Sequence, residues 1–174
     1  WKAGFGESAF PCPEILSKAI QRESYRNSYS PTNGNLELKK GFARFYEHHF
    51  NIKLKQENFF IFPGSKMAFF SLGAILKPSY FLIPEASWVS YEPQAIIHSH
   101  QAVWLKTEAQ NAYKLTASTL EYALKKLLQD GQNQNAPLLF LNSPNNLTGA
   151  VYSREELRDI CHVCLNYGVL ILFD

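Results

Sequence analysis

Residues 137–174 read PLLFLNSPNNLTGAVYSREELRDICHVCLNYGVLILFD, and their pattern decides the fold. An unbroken apolar run, Pro137 to Leu141, stops at a stretch rich in Asn, Pro and Gly, which is turn chemistry. Ser153, followed three residues later by Glu156, predicts a capped helix start. The amphipathic stripe continues to Tyr167, and Gly168 marks its end. A second apolar run, from Val169 to Phe173, then closes on Asp174. Two uniformly apolar strands joined through a helix predict a parallel crossover with both faces of the sheet covered.

Upstream residues repeat that alternation. Helical stripes are predicted over 13–24 (Ile15, Leu16, Ala19, Ile20), 36–50 (Leu36, Leu38, Phe42, Phe45, Tyr46), 65–76 and 116–129. For the last of these, Thr116 or Ser118 is the expected N-cap. Short apolar strands are predicted at NFFIF (58–62), YFLI (80–83) and AVWL (102–105). The stretch 88–100 is expected to be partly helical, kinked or delayed by Pro93. DGQNQNA (130–136) is expected to be a polar loop. The fold class that follows is α/β: a mostly parallel sheet with helices on both faces, an α/β/α sandwich.

Composition narrows the function classes. The chain has 174 residues, 46% hydrophobic and 18% charged, with thirteen Phe and nine Tyr, so it buries a sizeable core. A net charge of +2 from 17 scattered Lys and Arg argues against a nucleic-acid footprint. The longest apolar runs are too short to span a bilayer, and the opening residues do not read as a signal peptide. Cys12, Cys161 and Cys164 are an odd count with no disulfide framework. Cys161 and Cys164 sit three apart in a helix without two further ligands, so no metal is expected; a reducing, cytoplasmic compartment fits them.

In α/β sheets, ligands gather beyond the carboxyl ends of the strands, and four such segments carry candidate groups. PGSK (63–66) is a glycine turn feeding a helix start, either a phosphate cradle or a plain βα turn. PEASWVSY (84–91) puts Trp88 and Tyr91 after a strand, where the indole either stacks on a flat ligand or lids the core. Asn145 and Asn146 offer amide donors and acceptors. Asp174 is an acid expected to be half-buried and to need a positive or protonated partner. Together they point to a phosphorylated heteroaromatic with a protonatable ring nitrogen, a description that pyridoxal 5'-phosphate meets.

The chain resembles the class I/II aminotransferases, fold type I pyridoxal-phosphate enzymes of the aspartate-aminotransferase-like branch. GFGESAFPCPE (4–14), YSPTNGNLELKK (29–40), GSKMAFFSLGAILKP (64–78), PEASWVSY (84–91), NSPNNLTGAVYSREEL (142–157) and YGVLILFD (167–174) are similar, in order, to the family's motifs. The resemblance implies that Gly64, Ser65 and Lys66 hold the cofactor phosphate and that Trp88 stacks on its ring. It further implies that Asn146 meets the phenolic oxygen and that Asp174 pairs with the ring nitrogen. Tyr29 matches a tyrosine that reaches the neighbouring subunit's cofactor in a homodimer, and Gly6 a glycine near the substrate carboxylate. The implied activity is amino-group transfer between an amino acid and a 2-oxo acid, with no nucleic acid or membrane partner.

The resemblance divides the chain into an N-terminal arm and start of the fold (1–38) and part of the cofactor-binding large domain (39–174). No lysine follows Asp174 within these residues, and Lys66 at the phosphate turn does not replace the Schiff-base lysine. The expectation is therefore of an N-terminal fragment, inactive by itself. Leu147 and Ser8 stand where the family has proline. Leu147 is expected either to carry a cis penalty of about 3–4 kcal/mol or to become trans, and either outcome is expected to displace Asn146. Competing readings are another enzyme of the same fold type, such as a C–S lyase, and a degenerate or regulatory homologue. A generic nucleotide-binding α/β domain is a further reading, although GSK lacks the G-x-G-x-x-G glycines.

Overall fold

The computed structural model describes residues 8–127 and 135–174, which form two compact units, one up to Ile61 and one from Phe62 to Asp174. In the first unit, α1 spans Glu14–Glu23 and α2 Leu36–Phe50. Asn35 caps α2, its side-chain oxygen accepting from the N–H groups of Glu37 (2.9 Å) and Leu38 (3.1 Å). Gly34 sits at φ +96°, and a Cβ there would lie 2.4 Å from Ile61 Cγ1, so no other residue fits without displacing Ile61. The apolar stripe of α1 is as predicted, yet none of it is buried.

The segment 58–62 departs from expectation. NFFIF is not a strand: Gln56–Asn58 form a short 3-10 turn, and Phe59 is extended without a sheet ladder. Ile61 N–H donates to Asn33 C=O at 3.4 Å, a single bond to a loop. An apolar extended run becomes a strand only when a neighbour supplies its hydrogen bonds.

The second unit is the predicted α/β sandwich. Its elements are α3 (Ser65–Leu76), β1 (Tyr80–Pro84), α4 (Tyr91–Ile97), β2 (Gln101–Leu105), α5 (Ala117–Leu127), β3 (Leu138–Leu141), α6 (Arg154–Tyr167) and β4 (Leu170–Phe173). The four strands are all parallel in the order β2-β1-β3-β4. Alternating side chains feed two cores. Leu82, Leu105, Leu139 and Leu141 pack with Leu120 and Leu124 of α5 and Ile160 and Cys164 of α6. Phe81, Ile83, Leu138 and Phe140 pack on the other face with Phe69 of α3 and Tyr91 and Ala95 of α4. Burial on both faces is why these strands read as continuous apolar runs.

Helix boundaries follow local chemistry. Ser153 and Glu156 form a complete capping box on α6, and Gly168 ends it at φ +64°. Thr116, not Ser118, caps α5, its hydroxyl accepting from Thr119 N–H at 3.2 Å. Pro93 does not kink α4; it occupies the first turn, where the missing N–H has no intrahelical partner to lose. The loop expectation at 130–136 falls largely outside the described residues.

Candidate functional site

From β1 the chain crosses to β2 on one side, while β3 pairs on the other. That reversal makes a topological switch point, where the carboxyl ends of neighbouring strands leave a crevice for ligands. The loop after β3 is tied to the loop after β1 by Asn145, whose Nδ2 donates to Ala86 C=O at 2.7 Å.

Three asparagines build the loop after β3, each with a distinct job. Asn145 Oδ1 accepts from the N–H groups of Leu147 and Thr148, both at 2.9 Å, an Asx turn that sets the backbone. Asn142 Oδ1 accepts from Asn146 N–H at 2.5 Å, while Asn142 Nδ2 donates to Asp174 C=O at 2.9 Å. Asn142 therefore joins the end of β4 to the backbone of Asn146. The Asn146 side chain is exposed and makes no hydrogen bond among the described residues. The Asn146–Leu147 bond is trans, and the cis bond of this loop lies at Ser143–Pro144. The Leu147 side chain is largely solvent-exposed, and the grip of Asn142 fixes the Asn146 backbone without a second proline.

Asp174 stands half-buried at the end of β4. Its Oδ2 accepts from the Tyr91 hydroxyl at 2.6 Å, and among the described residues no lysine or arginine pairs with it. Tyr91 is fully buried, stacked on Phe140 (4.5 Å between centroids, 26°) and edge-on to Trp88 (5.7 Å, 86°). Burial first, and the Asp174 carboxylate second, push the Tyr91 phenol far above its ordinary range. It is a permanent donor to Asp174. Trp88 in turn carries the Lys66 ammonium 4.8 Å from its ring centroid.

Lys66 lies in the first turn of α3. Gly64 precedes that helix at the N-cap position, with φ +96° and ψ 155°, a conformation essentially reserved for glycine. No side chain caps α3 and no acid lies in its first turn, so the positive end of its dipole is not offset by a side chain there. A Cβ on Gly64 would meet nothing within 4 Å.

An unbroken series of contacts thus runs from Lys66 through Trp88, Tyr91, Asp174 and Asn142 to Asn146. Against known proteins, the family model for class I and II aminotransferases matches residues 3–174. The chain belongs to that family. It is 28% identical to the aspartate aminotransferase of Bacillus subtilis (strain 168), across 98% of this chain and 42% of that protein. It is 27% identical to the asparagine–oxo-acid transaminase of Streptococcus mutans, across 97% of this chain and 42% of that protein. The crystal structure of the aspartate aminotransferase from Rhizobium meliloti superposes with a TM-score of 0.85 at 28% identity, across 98% of this chain and 42% of that one. The aromatic aminotransferase from Pyrococcus horikoshii OT3 gives 0.83 at 26%, across 98% of this chain and 45% of that one. The chain spans somewhat under half the length of these aminotransferases.

Of the residues that the sequence singles out, Gly64, Ser65, Lys66, Trp88, Asn146 and Asp174 lie in the second unit. Tyr29 lies in the first unit, fully exposed, and Gly6 is outside the described residues. Sequence reasoning gave Tyr91 no role of its own and Asn142 only a turn. The signal available for Tyr91 was its spacing of three from Trp88 at a helix start; for Asn142 it was adjacency to the strand end. His98 and His100 contact the carbonyls of Phe70 (2.8 Å) and Gly73 (3.2 Å) on α3. Among the described residues no cluster of His, Cys, Asp and Glu is suited to a metal, and no helix is long and apolar enough to cross a membrane.

Proposed function

We propose that these residues are the cofactor-binding part of a pyridoxal-phosphate-dependent aminotransferase. The observation that carries the reading is Asp174. A half-buried carboxylate holding one neutral donor and no cation among the described residues is a site for a protonated nitrogen. The other groups suit the rest of such a cofactor. The uncapped start of α3 suits a phosphate. Trp88 offers a flat ring, and the Asn146 amide is free to meet a phenolic oxygen.

In this reading each residue binds or orients. The N–H groups at Ser65 and Lys66 anchor the phosphate, Trp88 confines the ring, and Asp174 holds the proton on the ring nitrogen. Bound there, the cofactor supplies an electron sink for an amino acid's α-carbon. The Schiff-base lysine and the substrate-carboxylate arginine lie outside these 174 residues in this account. The substrates proposed are an amino acid and a 2-oxo acid. By likeness to the relatives, we also assign a homodimer in which Tyr29 serves the neighbouring subunit's phosphate and Gly6 lies near the substrate carboxylate. A reducing, cytoplasmic setting suits the free Cys12, Cys161 and Cys164.

The test is to add pyridoxal 5'-phosphate to the natural polypeptide that carries these residues. The expected result is a new visible absorbance band, together with amino-group transfer from an amino acid to a 2-oxo acid. A protein that stays colourless at saturating cofactor, with no transfer, contradicts the proposal.

A further inference from the structure

We propose that Tyr91 is a positioning residue: its buried hydroxyl fixes the plane of the Asp174 carboxylate so that Oδ1 faces the ligand nitrogen while Oδ2 stays engaged. The inference rests on the reading of Asp174 as that nitrogen's partner.

The slot itself asks only for an aromatic ring. Phe140 stacks on one face of Tyr91, Trp88 meets it edge-on, and Phe69 approaches at 6.2 Å and 61°. Phenylalanine would satisfy every one of those contacts. A hydroxyl sunk into such surroundings is costly unless paired, and its partner here is Asp174 Oδ2 at 2.6 Å, 83 residues away in sequence. The torsion that swings a carboxylate plane is soft and broadly populated. One charge-assisted bond from an immobile donor is therefore what selects its orientation. The donor is immobile because Tyr91 opens α4, with its N–H bonded to Trp88 C=O at 3.2 Å and its ring fully buried. The backbone of Asp174 is held independently, its N–H donating to Leu141 C=O at 2.9 Å and its C=O accepting from Asn142. With the main chain fixed by β3 and Asn142, the Tyr91 bond governs the remaining freedom of the side chain. The edge contact to Trp88 makes the same residue a support for the stacking ring, so acid and indole are set by one helix start.

The experiment is a double-mutant cycle on the natural polypeptide that carries these residues: Tyr91→Phe and Asp174→Asn, singly and together. Each protein is titrated with pyridoxal 5'-phosphate, and the melting temperature is measured without cofactor. Tyr91→Phe alone is expected to weaken binding roughly ten- to a hundredfold, the range for losing a hydrogen bond to a charged group. In the Asp174→Asn background the same change is expected to move binding less than about twofold, because the group it acts through is gone. An equal loss in both backgrounds means that Tyr91 only packs, and no loss in the Asp174 background means that it does not orient the acid; either overturns the inference. A second readout needs no Asp174 variant: the pH midpoint of the bound cofactor's absorbance band moves in Tyr91→Phe, and an unchanged midpoint counts against the inference. The parent reading fails separately, if unsubstituted protein does not bind the cofactor or Asp174→Asn binds it normally, and the inference then falls with it.

Discussion

The starts of α3 and α6 both follow a loop in the same α/β unit, and they are finished in opposite ways. At α6, Ser153 Oγ accepts from Glu156 N–H (3.2 Å) and Glu156 Oε2 accepts from Ser153 N–H (2.7 Å). Glu155 and Glu156 supply negative charge, and Lys114 pairs with Glu156. That helix start is sealed by its own side chains. At α3 there is a glycine in a glycine-only conformation, no cap and no acid. A helix that is merely structural gains about 1 kcal/mol from a cap. The missing cap at α3, where Lys66 lies over Trp88, is what the proposed anion site rests on.

The contrast breaks if α3 accepts a negative side chain without consequence. Ser65→Asp is expected to weaken pyridoxal 5'-phosphate binding roughly a hundredfold, because placing like charges together costs several kcal/mol. The same change should slightly raise the melting temperature of the cofactor-free protein, since an acid in the first turn adds about 0.3–1 kcal/mol. Opposite signs in the two measurements identify an anion site. Gly64→Ala is expected to lower stability by about 1–3 kcal/mol in denaturant unfolding, a cost of backbone strain; there is open space for the methyl group.

Ser153→Ala is expected to cost about 1 kcal/mol in stability and leave cofactor affinity within about twofold. The smallest effect is a pH slope. The Lys114 side chain first, then the Ser153 backbone, hold the Glu156 carboxyl below its ordinary range. Its contribution is complete above the ordinary glutamate value of about 4.3 and is lost as pH falls through the lowered one. Melting temperatures followed across that acid range should drop less steeply in Glu156→Gln than in the unsubstituted protein.

What was legible in the sequence divides along the same line. The α6 start was readable because Ser153 and Glu156 are three residues apart and need nothing distant. The uniformly apolar runs at 80–83 and 138–141 revealed a sheet buried on both faces for an equally local reason. NFFIF misled because strand status depends on a neighbouring ladder, which composition does not contain. Tyr91 was singled out without a role because its partner, Asp174, is 83 residues away, and nothing in WVSY states what the hydroxyl meets. The bond from Asn146 N–H to Asn142 Oδ1 was not legible beside Leu147, because it depends on how the loop folds back on the strand end. Asn142→Ala therefore tests whether that grip replaces the missing proline.

The central claim is that Asp174 holds a cationic ring nitrogen, and its most direct test is Asp174→Ala in the natural polypeptide that carries these residues. Spectroscopic titration with pyridoxal 5'-phosphate should show affinity reduced at least roughly thirtyfold, the lower end for truncating one partner of a buried charge pair, and amino-group transfer abolished. Unchanged affinity with turnover retained would contradict the account.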